Sequence, residues 1–250
     1  MSLGHGASIV RDGLVLHLDA ANVKSYPGSG TTWYDLSGNN YHASLLGSNP
    51  NPYIANGAVN LEFDTEVYDT DTAGGDLVSV TSTYVANTDA PITYSCWFNQ
   101  KSANREGKQT SVWLMGPVGT SPTGSGMGFG IGADNSSRHR RIYGISYNET
   151  NNQVIIGNLS TGGTEILLDT WYMVSMVHNN TNVTFYINGE FDSTAACSGF
   201  APLSNAFTIG LNRIYYHFGG QISNVTVYNR ALSQSEIQQN FNALRGRYGI

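Results

Sequence analysis

Residues 171–193, WYMVSMVHNNTNVTFYINGEFDS, constrain the fold more than any other stretch of the chain. Val183, Phe185 and Ile187 alternate with Thr184 and Tyr186, the period of a strand with one buried face. Asn188-Gly189 then reverses the chain, the favoured chemistry of a two-residue hairpin. Strand signals of this kind recur every ten to twenty residues. GLVLHLDA (13–20) puts Leu14, Leu16 and Leu18 on one side and Val15 and His17 on the other. ITYSCWFN (92–99) puts Ile92, Tyr94, Cys96 and Phe98 on one face and Trp97 on the other. AVNLEF, DLVSVTS, SVWLMG, GMGFGIG, RIYGISY, QVIIGN, AFTIGL and GQISNVTVYN supply further strands. In GMGFGIG the alternating glycines read as sheet-packing or bulge positions.

One helix stands out, in LSQSEIQQNFNAL near the end. Ser233 and Glu236 have capping-box spacing, and Ile237, Phe241 and Leu244 form an apolar stripe at i, i+4 and i+7. Many strands, one terminal helix and no βαβ rhythm predict an antiparallel all-β sandwich. The Gly/Ser/Pro run 116–126 reads as a long loop. With no linker-like break, the expected organisation is an arm, residues 1–11, and one domain, residues 12–250.

Composition agrees. Of 250 residues, 25 are Asn, 29 are Gly and three are Lys, which disfavours long helices and favours strands joined by turns. Only 12% are charged, and the formal net charge is −6. That argues against nucleic-acid binding, which needs a basic footprint. The local exception, Arg138–Arg141 (RHRR), reads as a solvated loop or strand end, or as an anion or partner contact. No apolar run has the ~18 residues of a membrane span. The N-terminus lacks the pattern of a secretory signal, so the sequons at Asn148, Asn158, Asn182 and Asn224 are read as Asn/Thr richness. Two cysteines, Cys96 and Cys197, are too few for a disulfide scaffold; Cys96 is expected as a buried thiol, with a single bridge to Cys197 as the open alternative. An Asn/Ser/Thr-rich surface without an export tag suits a virion protein, assembled in a host cytoplasm and later exposed.

The segments DGLVLHLDAAN, WYDLSGNNYHASL, WYMVSMVHNNTNVTFYINGE and FGGQISNVTVYNRALSQSEIQQNFNALRGRYG occur in that order. Together they resemble the laminin-G-like, concanavalin A-like jelly-roll domains over residues 10–248, and in particular the stand-alone versions among structural proteins of tailed marine phages. The resemblance implies two curved antiparallel sheets packed face to face with loops at the rims. It also implies glycan recognition, adhesion or virion decoration, with calcium in some members.

Several candidate sites follow. In YDLSGNN, Asp35 either fixes an Asx turn, with Gly38 supplying a left-handed conformation, or serves with Asn39 as a calcium ligand. Trp33 and Tyr34 are read as core or rim packing in preference to a sugar platform. Glu62, Asp64 and Glu66 alternate in LEFDTEV, the arrangement of a retaining glycosidase, and resemble the catalytic strand of laminarinase-type glucanases. The resemblance to laminin-G-like domains, where an FD strand end at this point runs into an Asp-rich loop, implies that FDTEVYDTDTAGGD leaves the strand near Asp64 and gathers Asp64, Glu66, Asp69, Asp71 and Asp76 in an acidic loop, a second calcium candidate. In IYYHF (214–218), Tyr215 and His217 point one way and Tyr216 and Phe218 the other, so one pair is placed to face a glycan or a partner subunit. The six histidines lack metal-ligand spacing.

The combined expectation is a non-enzymatic virion structural protein: a decoration, fibre or appendage component on the particle surface. It would be a homo-oligomer such as a trimer, anchored to other virion proteins through residues 1–11 or the C-terminal segment. The alternatives are a dedicated lectin with a glycan ligand and calcium, and a β-glucanase.

Overall fold

The structure, a computed structural model, describes residues 8–46, 54–55, 58–61, 77–80, 91–101, 112–117, 126–132, 140–147, 154–156, 163–196, 207–212 and 216–250. In chain order the strands among them begin with β1 (Leu14–Asp19), β2 (Thr32–Trp33), β3 (Ala43–Leu46), β4 (Ile54–Ala55), β5 (Ala58–Leu61) and β6 (Leu77–Val80). Next come β7 (Ile92–Gln100), β8 (Val112–Pro117), β9 (Gly126–Ile131), β10 (Ile142–Tyr147), β11 (Val154–Ile156) and β12 (Trp171–His178). The last are β13 (Asn182–Ile187), β14 (Glu190–Ala196), β15 (Phe207–Ile209), β16 (Leu211–Asn212), β17 (Tyr216–His217) and β18 (Gly220–Tyr228), followed by helix α1 (Gln234–Leu244).

Two antiparallel sheets build a jelly-roll sandwich. The first runs β14-β13-β12-β7-β18; beyond β18, β5 pairs with Gly220–Ile222 and β1 with Asn224–Tyr228. The second runs β11-β10-β9-β8-β15-β6-β3-β2. Between them lies one apolar core that takes Ile92, Tyr94, Cys96 and Phe98 from β7, and Trp33, Leu45, Val78, Phe129 and Phe207 from the other sheet. Each such fully buried side chain contributes about 1.5–3 kcal/mol. In β13 the burial alternates as the sequence requires, with Val183, Phe185 and Ile187 inside. Asn188 and Gly189 turn the hairpin with φ of 52° and 85°. Positive φ at both positions matches the right-handed twist of the strands and is tolerated by Asn and Gly.

Strand β1 departs from simple alternation. Its pairing to β18 shifts between Leu14 and Leu16, so Val15 joins the core with Leu16 and Leu18, while Leu14 packs on the opposite face. A bulge inserts one residue and exchanges the faces on either side of it, which is why the expected grouping of Leu14 with Leu16 and Leu18 fails. Phe218, at the end of the aromatic run 214–218, lies in the core, edge-on to Phe98 at 5.9 Å.

Helix α1 covers the outer face of the first sheet. Ser233 caps it, and the reciprocal capping box with Glu236 is present. Arg230 adds a bidentate pair to Glu236, 3.0 and 2.6 Å. These bonds hold the Glu236 carboxyl down to about 2, the Arg230 bond first and the Ser233 backbone bond next. Ile237 is fully buried against Trp97, Met173, Val177 and Tyr228. The chain then brings Tyr248 onto Trp97, stacked at 4.1 Å, and Arg247 onto Asp19 at 2.7 and 3.2 Å. Residues 8–10 dock on the same helix: Asn240 Oδ1 accepts from Val10 N at 2.8 Å, and Gln239 donates to Ser8 O at 2.8 Å.

Candidate functional site

Thr32 and Trp33 of β2 pair with Ser44 and Ala43 of β3. Trp33 and Ala43 point into the core, so alternation turns Thr32, Tyr34, His42 and Ser44 outward. Tyr34, His42 and Ser44 are exposed and Thr32 is half-buried. The register extends this hydroxyl row: Ser44 pairs with Ser79 of β6, Ser79 with Thr208 of β15, and Thr208 with Gly116 of β8. One end of the outer face of the second sheet thus carries small hydroxyl side chains beside an aromatic pair. Tyr34 is 42% exposed, and its ring meets that of His42 at 5.1 Å and 72°.

The turn that carries this pair is rigid for a reason legible in its bonds. The buried carboxylate of Asp35 accepts from His17 N (2.9 Å) and Ser37 N (2.8 Å) on Oδ1, and from Tyr41 N (3.1 Å) on Oδ2. The Ser37 hydroxyl lies 2.7 Å from Oδ2 and 2.8 Å from Val15 O. Asn39 Nδ2 donates to Val15 O at 2.9 Å. Gly38 and Asn40 take φ of 98° and 60°. Asp35 N in turn donates to His42 Nδ1 at 3.1 Å. Asp35 is therefore the hub of an Asx-type turn that fastens the 34–42 segment to β1 and fixes both Tyr34 and His42.

The other sequence candidates are distributed differently. Glu62, Asp64, Glu66, Asp69, Asp71, Asp76, Tyr215 and Cys197 lie outside the described residues. Tyr216 and His217 pair through the backbone with Asn212 and Leu211. Among the described residues no three His, Cys, Asp or Glu side chains gather to hold a metal. Cys96 is a buried free thiol whose ionisation burial pushes up. Arg140 and Arg141 donate through Nε to Ile166 O and Gly163 O, tying the entry of β10 to its neighbour. Asn224, a sequon residue, is buried and hydrogen-bonded to the His17 ring at 3.2 Å.

What sequence reasoning missed is the outward display of Tyr34 with His42. The signal was present: a tryptophan committed to the core at 33 sends residues 32 and 34 out, and an Asx turn of this length brings residue 42 opposite residue 34.

Comparison with known proteins places the fold. Residues 71–238 match a laminin-G-type family model described as the Concanavalin A-like lectin/glucanases superfamily. The chain belongs to this superfamily. Residues 32–44, which carry the Tyr34–His42 pair, lie outside the matched stretch. A search among curated proteins by sequence finds no match. Among solved structures, Trypanosoma rangeli sialidase superposes with a TM-score of 0.60 at 17% identity, over 94% of this chain and 33% of that one. Domain 4 of AbnA, an extracellular arabinanase from Geobacillus stearothermophilus in complex with arabinotriose, gives 0.59 at 13% identity, over 92% and 98%. The binding domain of botulinum neurotoxin serotype D gives 0.60 at 14%, over 93% and 52%. The chain thus spans about a third of the sialidase. At these identities the likeness is one of fold: a lectin/glucanase-like jelly-roll that recurs in carbohydrate-active and carbohydrate-binding proteins.

Proposed function

We propose that the chain is a non-catalytic glycan-binding module, and that it works as a surface component of a phage particle. The observation that carries the glycan reading is the exposed Tyr34–His42 pair, fixed by the Asp35 turn beside outward hydroxyls at Thr32 and Ser44. An aromatic ring offers an apolar face with a polar rim, and neighbouring hydroxyls and imidazole supply directional hydrogen bonds. That is the combination a pyranose needs, because its own faces are apolar and its edges are polar. A pre-fixed turn lowers the entropy lost on binding. The carboxylate within residues 32–44, Asp35, already accepts three backbone bonds, which supports recognition over chemistry.

The phage setting rests on the ordered segments quoted above and on a low-charge, Asn-rich composition. In that setting the chain is a homo-oligomeric decoration, fibre or appendage protein attached to other virion proteins. A glycan array probed with the wild type and Tyr34→Ala tests the binding reading: signals that Tyr34→Ala abolishes are expected, and an array without signals overturns it. Mass spectrometry of purified particles tests the setting, with absence of the chain from particles as the contrary result.

A further inference from the structure

His42 does more than pack against Tyr34. Asp35 N donates to His42 Nδ1, so that nitrogen is an acceptor. A neutral imidazole that accepts at Nδ1 carries its proton on Nε2. The donor of the bond is a backbone amide of the stapled turn, and it cannot rotate away or exchange roles. The ring is exposed, and Nε2 has no partner among the described residues. Asp35, the one carboxylate in residues 32–44, is buried with its oxygens turned to backbone donors. The platform therefore presents one oriented N–H donor next to an aromatic face, with no exposed carboxylate between residues 32 and 44 to compete for it.

We infer that His42 Nε2–H reads an unprotonated oxygen of the sugar seated on Tyr34, such as a ring ether, carboxylate or sulfate oxygen. This rests on the glycan-binding reading of the same site. A hydroxyl of the ligand can also accept, but a site with a fixed donor favours sugars whose oxygen at that point carries no proton. Charged oxygens bind such a donor about twice as strongly as neutral ones. The ligand class is thus a pyranoside with an acceptor oxygen at its edge, and a uronate-bearing or sulfated chain ranks above a neutral one.

Two substitutions separate the two ring nitrogens. His42→Asn places Oδ1 near the Nδ1 position, keeps the Asp35 N–H partner and removes the outward donor. His42→Gln places an amide N–H near the Nε2 position and gives up the inward acceptor. The probe is an array of neutral, uronate-bearing and sulfated oligosaccharides, followed by titration calorimetry with the strongest binder.

The inference expects His42→Asn to weaken binding about tenfold and His42→Gln to stay within about threefold of wild type. Wild-type binding by His42→Asn while Tyr34→Ala loses it would leave the platform standing and overturn the donor role. Loss in His42→Gln as deep as in His42→Asn would also overturn it, since the ring would then act through the turn. Binding that survives Tyr34→Ala, or no binding by the wild type, removes the platform itself. Long-range nitrogen–proton correlation spectra of the His42 ring give a ligand-free check. A proton on Nε2 is expected, and one on Nδ1 contradicts the inference.

Discussion

Replacing Asp35 by asparagine changes one atom and tests whether this carboxylate is a turn hub or a metal ligand. Oδ1 accepts two backbone N–H groups and Oδ2 accepts Tyr41 N and faces the Ser37 hydroxyl. The amide keeps one oxygen and sets an NH2 against the other two donors. Hydrogen bonds to a charged acceptor contribute about 1.5–3 kcal/mol each. The Ser37 hydroxyl can turn to Val15 O, 2.8 Å away, so its share is small. The half-buried Tyr41 amide and the loss of charge on the remaining bonds then set the penalty, about 2–3 kcal/mol. For a domain of this size that lowers Tm by roughly 4–12 °C. Urea and thermal unfolding followed by circular dichroism, each with and without EDTA, measure it. The gap between wild type and Asp35→Asn should be the same in both buffers. A variant within about 0.5 kcal/mol of wild type refutes the hub, and a gap that EDTA closes shows that calcium supplies the stability at Asp35.

Glu236→Gln should flatten the acid limb of the stability curve. The Glu236 carboxyl is lowered to about 2 in the folded chain, chiefly by Arg230, so its contribution is present above the unfolded value of 4.5 and lost as pH falls from there towards 2. Urea midpoints across that window should slope less in the variant, and equal slopes would contradict the assignment. His17 is lowered by burial, opposed by Asp19 and Asp35 and reinforced by Arg11 and Arg247, so the unfolded chain binds its proton first. Stability should therefore fall as pH drops below 6.5, and His17→Gln should remove that slope, whatever its effect at neutral pH. Tyr248→Ala removes the ring stacked on Trp97 and should cost about 2 kcal/mol with a red shift of tryptophan emission; unchanged emission would mean that the C-terminal segment does not cover Trp97.

Much of this architecture can be read from the chain because it depends on local periodicity. The strict alternation at 183–187, the single face at 92–98 and the Ser233–Glu236 capping box each reappear in the fold as anticipated. The faces around Leu14 and Val15 could not be anticipated, since a bulge is set by the partner strand β18 and leaves no mark on period two. The platform was half legible. Asp35, Gly38 and Asn39 announced a turn, and the turn chemistry accounts for Asp35. The meeting of Tyr34 with His42 depends on which strands the turn joins and on where Trp33 is buried, both tertiary facts. In the aromatic run 214–218 alternation reads as one pair inward and one outward, and Phe218 is on the inward side.

The most direct test maps a bound glycan onto the sheet. Titrating isotope-labelled protein with the strongest array ligand should shift the amide and ring signals of Thr32, Tyr34, His42 and Ser44, and leave those of α1 unmoved. Shifts centred on other strands, with residues 32–44 silent, would contradict the account.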